Sequence, residues 1–414
     1  MDMAIKSIQV SNFKSFKELE PLELGKFNVL IGANASGKSN FIEIFRFLTN
    51  MLNKGLDSAI SLEGGVEYLR NMKVGPSKDF SFEIVYDHHA EGDFLNFGIR
   101  VYEEIYKFAI KFTGESGESG YEISEDKLVL KCEFFRPPLH GEKKTIDNGD
   151  IILSVVNRKI QVDLSSLPEG IPLNESNIIP PFLKGKLERE LFLLQIPFGF
   201  LPPLRLLFGN IPIYDFDPKL SKLAAQITGP AELEENGRNL PLILKNIKKN
   251  NEKSKALHYH IQDILPYIED IDVKVENKSL FFKVHETYFE EDLPAFLISD
   301  GTINLIAVIV ALFFEIKPTP VIIFEEPERD IHPYLIYELM NLMKDASQHK
   351  QIIITTHNPE IVKHVNLEDL LLVSRDDEGY STITKPSDKK EVVTAVKEMG
   401  VDIDELYVQK LLEL

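Results

Sequence analysis

A run near the start of the chain has the residue types and the spacing of a phosphate-binding loop. Residues 32–39 read Gly-Ala-Asn-Ala-Ser-Gly-Lys-Ser, which matches the pattern G-x-x-x-x-G-K-S. In such a loop the glycines let backbone N–H groups turn towards phosphates, the lysine reaches the β- and γ-phosphates, and the last serine binds Mg²⁺. We expect nucleotide contacts from the loop and the residue after it, with Ser39 also the metal ligand: Gly32, Asn34, Ala35, Ser36, Gly37, Lys38, Ser39 and Asn40.

The residues on either side of this loop have the patterns of the elements that must hold it. Phe27–Ile31 is an apolar run typical of a buried strand, and residues 40–48 have the apolar spacing of a helix. Strand, loop and helix is the order that the motif requires, and the helix N-terminus adds partial positive charge beside the phosphates. The alternative is a glycine-rich turn before a core helix, which this context does not favour.

A second apolar run ends in carboxylates. Residues 320–324 predict a buried strand, and Glu325 and Glu326 follow directly. In a phosphate-transferring site, one carboxylate at such a strand end holds the Mg²⁺ shell and the next orients the attacking water. We assign Glu325 to the metal and Glu326 to catalysis. Aspartate is usual at the first position, so the longer Glu325 would reach Mg²⁺ through water. The alternative is an ordinary solvated strand end.

Two more segments could complete a nucleotide site. His357 follows the apolar run 352–354 and two threonines, where it could contact the γ-phosphate; a surface histidine without a ligand is the alternative. Residues Ser299, Asp300 and Gly301 precede an apolar helix. They could be a simple N-cap and turn, or they could offer N–H and hydroxyl donors to a phosphate bound by a partner subunit.

Composition limits the class of protein. The 414 residues carry a net charge of −19, and Cys132 is the single cysteine, which excludes a disulfide framework and a cysteine zinc site and fits a cytoplasmic location. The longest apolar run, Leu305–Phe314, is too short to cross a bilayer, so we expect no membrane partner. An acidic chain has no general attraction to DNA, so DNA binding by this chain alone should be weak. Its best candidates, more simply a solvated helix face, are Lys245, Lys248, Lys249, Lys253 and Lys255.

The patterns along the chain predict an α/β domain with an insert. Residues 80–163 contain short alternating runs with polar turns, such as Gly114–Gly120, and predict antiparallel strands. Helices are predicted at 217–228, 239–250, 255–268, 302–314 and 333–346, with a helical tail at 389–412, and further strands at 4–10, 270–285, 321–324, 351–355 and 370–373. We expect one discontinuous domain, residues 1–115 and 265–414, that carries an inserted strand and helix lobe at 116–264.

Three short motifs resemble those of a known group of ATPases. Residues 12–16, Asn-Phe-Lys-Ser-Phe, resemble the opening of SMC and RecF heads. Residues 325–333 resemble the EEPE…LHP signature of OLD-family ATPases, and residues 355–359, Thr-Thr-His-Asn-Pro, resemble that family's TTHSP. The chain therefore resembles an ABC-type ATPase of the SMC/RecF/OLD branch. This resemblance implies a P-loop NTPase fold, α/β with a mixed sheet and an inserted α+β lobe, and ATP with Mg²⁺ as cofactors.

The resemblance also implies how such a protein works. Two subunits would form a head-to-head dimer with ATP sandwiched between them, Ser299 and Gly301 of one facing the γ-phosphate at Lys38 of the other, while Lys14 approaches the nucleotide in its own subunit. Asn304 stands where a basic residue often follows the signature, and no glutamine of a Q-loop is identified. Only 57 residues follow His357, too few for the Toprim nuclease domain of OLD proteins, so a nuclease or toxin activity would come from a separate effector chain.

Three functions remain open at this level. The first is an ATP-hydrolysing dimeric switch in DNA repair or anti-phage defence. The second is an ATP-gated scaffold that hydrolyses little, which the glutamate at 325 keeps open. The third is a nucleotide-binding subunit of a transporter. This last function is disfavoured because the chain between Lys38 and Ser299 is longer than a transporter cassette needs, and because the signature lacks its second glycine and its glutamine.

Overall fold

The computed structural model describes residues 4–93, 97–113, 120–136, 144–185, 187, 192–196, 198, 208–317, 319–397 and 403–408. Its strands are β1 (Ala4–Phe13), β2 (Phe16–Glu23), β3 (Phe27–Ile31), β4 (Phe80–Asp93), β5 (Gly98–Thr113), β6 (Gly120–Arg136), β7 (Lys144–Val156), β8 (Lys159–Asp163), β9 (Ile213–Tyr214), β10 (Ala225–Gln226), β11 (Ile268–Glu276), β12 (Ser279–Glu286), β13 (Leu293–Pro294), β14 (Val321–Glu325), β15 (Gln351–Thr356), β16 (Leu370–Arg375) and β17 (Ser381–Thr384). Its α-helices are α1 (Lys38–Lys54), α2 (Leu56–Leu62), α3 (Val66–Leu69), α4 (Glu175–Ile178), α5 (Pro218–Ser221), α6 (Leu240–Lys248), α7 (Asn251–Ile264), α8 (Asp300–Phe313), α9 (Pro333–Ala346), α10 (Pro359–Val362), α11 (Lys390–Lys397) and α12 (Ile403–Val408).

The chain forms two units, each made from separate stretches of sequence. Unit 1 contains residues 1–25, 35–211 and 373–384, and unit 2 contains residues 26–34, 212–372 and 385–414. The phosphate loop, residues 32–39, therefore begins in unit 2 and ends in unit 1. The expected division at residues 116 and 265 remains a prediction, since the two units follow the sheets rather than those limits.

Unit 1 is built on a seven-stranded antiparallel sheet with the order β2-β1-β4-β5-β6-β7-β8. Its core is rich in aromatic rings because the inward positions of the strands alternate with polar outward ones. The Phe80 ring on β4 lies 5.4 Å from the rings of Phe13 on β1 and Phe47 on α1, measured between centroids. All three side chains are fully buried. This packing fixes the helix that begins at Lys38 on the sheet.

Unit 2 is built on parallel strands with the order β16-β3-β15-β14-β9. Every residue of β3, and the first four of β14, are buried, as expected for strands covered on both faces. The register aligns Val29 with Ile354 and Ile354 with Phe324. Because parallel strands share their direction, the carboxyl ends of β3, β15, β14 and β9 all lie at the same end of the sheet.

Further strands and helices surround this sheet. β17 follows β16 after residues 376–380 and lies beside it, which gives the mixed sheet that the resemblance implies. Helix α8 is apolar along most of its length and is buried in the core of unit 2. A smaller antiparallel sheet, β10-β12-β11, carries α6 and α7. None of the helices in the described part of the chain is long and apolar enough to cross a membrane.

Most predicted elements are confirmed, and some are corrected. The strand at 27–31 and the helix at 333–346 have the predicted limits, and residues 80–163 form antiparallel strands. The helix predicted at 217–228 is wrong: α5 ends at Ser221, and Ala225 pairs with Leu280 of β12 instead. The helix predicted at 255–268 runs from 251 to 264, because Ile268 already starts β11. Of the predicted turn at 114–120, residues 114–119 lie outside the described residues, as does the tail beyond Val408.

Candidate functional site

The phosphate loop has the backbone that an anion requires. Ala35 has φ of 62° and Gly37 has φ of 122°, the left-handed region that lets successive N–H groups face one way. Lys38 is the first residue of the 17-residue helix α1, and it is largely buried, with 9% of its surface exposed. The Oγ atom of Ser36 is buried and has no hydrogen-bond partner in the part of the chain that is described. A phosphate oxygen would supply that partner, so the loop fits the expected nucleotide.

Two side chains from residues 373–384, here called the brace, hold the loop by its backbone. Arg375 donates two hydrogen bonds to the carbonyl oxygen of Ala35, at 3.0 and 2.8 Å, and a third to that of Gly379. Ser381 donates from its hydroxyl to the carbonyl oxygen of Ser36 at 2.6 Å. Two successive loop carbonyls are thereby tied to the brace, which leaves the loop amides to face a ligand.

The brace also explains why position 37 must be glycine. An added Cβ at Gly37 would lie 2.1 Å from the Oγ of Ser381, and the positive φ would be strained as well. Ser381 is fully buried, and its Oγ lies 2.7 Å from the Oγ of Ser15, which accepts from the side-chain amide of Asn40 at 2.7 Å. Analysis of the sequence missed Arg375 and Ser381, since nothing local marks two residues that contact a loop more than 300 positions away.

Lys14 is paired with an acidic residue in this structure. Its ammonium forms an ion pair with Glu63 at 2.6 Å, and its backbone carbonyl accepts from the side chain of Asn71. Burial is the largest influence on Glu63 and raises its pKa, although the Lys14 partner lowers it. A contact between Lys14 and a nucleotide would therefore require this ion pair to open, and the predicted role remains a prediction.

Glu325, Glu326 and His357 lie at the carboxyl ends of the parallel strands of unit 2. Glu325 ends β14 opposite Thr355 of β15, and Glu326 follows with φ of 47° while its N–H donates to the carbonyl of Thr355 at 2.8 Å. This left-handed residue starts the acidic turn, residues 325–330. His357 places its Nδ1 2.6 Å from the Oε1 of Glu326. The structure thus brings together the two residues assigned to catalysis.

The surroundings of Glu326 favour its ionised form. Burial is the largest influence and raises the pKa, but hydrogen bonds from His357 and Arg329 outweigh it, so the pKa lies below the ordinary value. An ionised carboxylate only accepts hydrogen bonds, so the Nδ1 of His357 carries a proton. The carboxylate is therefore in the state that a general base needs at neutral pH.

Glu328 occupies the opposite kind of environment. Its side chain is 5% exposed, and burial raises its pKa to about 7, although the hydroxyl of Thr356 donates to its Oε1 and opposes the shift. The Oε2 atom has no hydrogen-bond partner in the described residues. The pKa values of two glutamates of one turn are thus shifted in opposite directions, because Glu326 accepts hydrogen bonds from His357 and Arg329 whereas Glu328 faces the core.

The start of α8 is an N-cap, as one of the two interpretations of the sequence proposed. Ser299 accepts from the N–H of Thr302 at 3.1 Å, and Asp300 forms an ion pair with Lys222. A Cβ added at Gly301 would lie 2.3 Å from the carbonyl oxygen of Asp330, so this helix packs closely on the acidic turn. Contacts of Ser299, Asp300 and Gly301 with a partner's phosphate remain predictions.

Asn304 has a clear role. Its side-chain amide donates to the backbone carbonyls of Pro327 and Arg329, at 3.0 and 2.8 Å. The residue is 1% exposed, so these bonds tie α8 to the acidic turn in a dry environment. An asparagine thus fixes the turn from the position where the resemblance leads us to expect a basic residue.

The described residues contain no preformed metal site, and two of the lysines considered for DNA binding already have partners. In the parts of the chain that are described, no group of three or more His, Cys, Asp or Glu residues could hold a metal. Mg²⁺ often takes only one or two protein ligands beside phosphates and water, so this finding is compatible with Ser39 and Glu325 as ligands. Among the lysines considered for DNA, Lys248 is paired with Asp270 at 2.7 Å, and Lys249 contacts Asn246.

Comparisons with known proteins identify a family that the chain matches. Residues 27–166 and 192–363 match the model of the family described as "AAA domain, putative AbiEii toxin, Type IV TA system". No curated protein matches the chain.

Two solved SMC head structures align with most of the chain. An SMC head bound to the C-winged helix domain of ScpA aligns with a TM-score of 0.51 and 16% identity, over 92% of this chain and 97% of that one. The SMC head domain of Thermotoga maritima aligns with a TM-score of 0.42 and 15% identity, over 92% and 98%. The first of these alignments shows that the chain shares the fold of an SMC head.

Proposed function

The chain belongs to the AAA-domain family whose model it matches, and we propose that it is an ATPase that binds ATP at residues 32–39 and hydrolyses it with Glu326. One observation carries the proposal. Glu326 and His357 are in contact at the carboxyl ends of the parallel strands, and β3, a neighbouring strand of the same sheet, runs at that end directly into the phosphate loop. In parallel α/β sheets, ligands bind at the carboxyl ends of the strands.

Each residue then has a defined task. Lys38 and the loop amides bind the phosphates, and Ser39 with Glu325 holds the Mg²⁺ shell, which neutralises charge on the phosphates when bound. Glu326 orients the attacking water and accepts its proton. His357 donates from Nδ1 to Glu326. Its Nε2 would contact the γ-phosphate as a donor when that nitrogen also carries a proton. The lowered pKa of Glu326 supports this task, because a protonated carboxyl could not accept the proton.

We further propose that ATP closes two subunits into a head-to-head dimer, and that this switch acts with a separate effector in anti-phage defence or DNA repair. The packing of Gly301 and Asn304 on the acidic turn supports the dimer. If Ser299 contacts a phosphate bound by the partner subunit, this packing would transmit the contact through α8 to Glu326 of its own subunit. The family description, which names a toxin of a type IV system, supports a defence role.

Hydrolysis is tested by a single-turnover assay in which the purified chain is in excess over ATP and Mg²⁺ is present. Conversion of bound ATP to ADP within minutes supports the ATPase. Tight binding without conversion supports the scaffold, which the longer Glu325 at the metal position keeps as a second candidate. Absence of both binding and conversion contradicts the proposal.

The test of the dimer is mass measurement by light scattering with a slowly hydrolysed ATP analogue. The mass should double with the analogue, and Ser299→Arg should prevent this without weakening nucleotide binding, because a large cation there would clash with a facing phosphate loop. Thr287→Arg, at an exposed position of the same unit, is the matched control. A monomer under all nucleotide conditions contradicts the sandwich.

A further inference from the structure

Arg329 occupies the centre of a chain of charged contacts that ends on Glu326. Its Nη2 lies 3.3 Å from the Oε2 of Glu326 and 2.8 Å from the Oδ1 of Asp215, and its Nη1 donates to the carbonyl oxygen of Phe216 at 3.0 Å. His357 contacts the other carboxylate oxygen of Glu326. Both oxygens of the proposed base are therefore held, one by a ring and one by a guanidinium.

The far end of this chain is anchored in the core. Asp215 follows β9, whose Tyr214 pairs with Phe324 of β14, and Phe216 stacks on Tyr214 with ring centroids 5.0 Å apart. Phe216 is 4% exposed, and the N–H of Asp215 donates to the carbonyl of Glu235. The backbone that carries Asp215 is thus fixed by buried aromatic packing, and so is the position of the guanidinium that it orients.

The acidic turn needs this support for a physical reason. Glu326 has a left-handed backbone, which an L-residue with a side chain adopts only when its surroundings impose it. Its side chain is 28% exposed, so packing alone does not select one rotamer. The planar guanidinium of Arg329 donates to the carboxylate of Glu326 and to the carbonyl of Phe216 and is ion-paired with Asp215, and these three contacts together restrict its orientation.

We propose that Arg329, oriented by Asp215, is a positioning residue that fixes the carboxylate of Glu326 for attack by water. This inference rests on the proposed ATPase function and adds to it two residues that no sequence motif marks. Arg329 would act on the catalytic step and not on ATP affinity, because its contacts in the described structure are to the base and its neighbours.

The experiment compares four variants of the full chain in single-turnover hydrolysis and in ATP binding. Arg329→Gln should lower the hydrolysis rate roughly 10- to 100-fold, the cost of a reacting group misplaced by about 1 Å, with the Kd for ATP within about twofold of wild type. Arg329→Lys should recover part of the rate, since one ammonium keeps the charge but not the fork. Asp215→Asn should give a smaller loss, and the double variant Asp215→Asn/Arg329→Gln should be no slower than Arg329→Gln alone.

A matched control and a second readout keep the outcomes distinct. Arg238→Gln removes an exposed guanidinium from the same unit and should leave the rate unchanged. An unchanged rate in Arg329→Gln, or equal losses in rate and ATP affinity, would overturn the positioning role. So would additive losses from Asp215→Asn and Arg329→Gln.

A wild-type chain that binds but never hydrolyses ATP would refute the proposed function instead. The positioning role is then decided by crystal structures of wild type and Arg329→Gln. The carboxylate of Glu326 should leave His357 in the variant, and an unmoved carboxylate overturns the inference.

Discussion

The phosphate loop and the acidic turn both follow a strand of the parallel sheet, yet they are held in different ways. The loop is tied through backbone carbonyls, those of Ala35 and Ser36, by the brace residues Arg375 and Ser381. The acidic turn is held at Glu326 by the side chains of His357 and Arg329, and at Pro327 and Arg329 by Asn304. The proposed roles explain this difference: a loop that is to bind phosphate with its amides needs a fixed backbone, whereas a turn that is to perform chemistry needs a fixed side chain.

The largest expected effect on ATP binding is on the loop side of this comparison. Lys38→Ala should weaken ATP binding at least about 100-fold, because in such loops the lysine is the committed cation on the β- and γ-phosphates. Isothermal titration calorimetry measures the Kd. Lys54→Ala, at the exposed last residue of the same helix, is the control and should bind as wild type does. Micromolar binding retained by Lys38→Ala would remove the phosphate loop from the mechanism.

The acidic turn should respond in rate and not in binding. Glu326→Gln should lower hydrolysis about 10²- to 10⁴-fold and keep the Kd for ATP, because an amide has the same shape but cannot accept a proton. Single-turnover assays with Glu325→Gln as the paired variant test the assignment: that variant should mainly lower the affinity for Mg²⁺. If Glu325→Gln loses turnover while Glu326→Gln keeps it, the two roles are reversed.

The protonation of the acidic turn gives a stability effect of intermediate size. Burial raises the pKa of Glu328 from 4.5 to about 7, so between these pH values the folded chain holds a proton that the unfolded chain has lost. Its contribution to the free energy of unfolding therefore falls as pH rises through this window, by up to about 3 kcal/mol. Urea unfolding from pH 4.5 to 8 should show a flatter profile for Glu328→Gln than for wild type.

The control for that profile is Glu338→Gln, which changes an exposed glutamate on α9 and should follow the wild-type curve. A profile of Glu328→Gln that is parallel to the wild-type profile would mean that the buried carboxyl titrates at its ordinary pH.

The smallest expected effect tests the brace. Ser381→Ala removes the hydrogen bond to the carbonyl of Ser36, worth about 1 kcal/mol, and should weaken ATP binding roughly 3- to 10-fold with little change in the rate from the bound state. Ser374→Ala removes a hydroxyl contact with Thr382 in the same segment and serves as the control. Equal effects of the two variants on ATP affinity would show that general loosening of the segment, and not the loop carbonyl, is responsible.

Prediction from sequence succeeded where the pattern was local and strong. The buried strands at 27–31 and 351–355 and the helix at 333–346 stand out by continuous or periodic apolar residues, and the structure has them at these places. It failed at 217–228, where helical spacing ends in Gly229 and Pro230 and the chain pairs with β12 instead. The second strand, Phe16–Glu23, was missed because its apolar residues recur every third position and not every second.

The candidate site divides in the same way. The sequence indicated the loop, the two carboxylates and the histidine, and the structure joins Glu326 to His357 at 2.6 Å. It did not indicate Arg329 with Asp215, which are separated by more than 100 residues and meet because β9 lies beside β14.

The sequence alone determined the chemistry that this chain can attempt. A glycine loop, a lysine and strand-end carboxylates are local features, because a few consecutive residues set their backbone and their charge. The tertiary structure alone decided which side chains hold them: Arg375 and Ser381 on the loop, and Arg329, Asp215 and Asn304 on the acidic turn. These partners depend on which strands lie side by side and in what register, and that is settled by burial of the whole apolar core, which no short stretch of sequence contains.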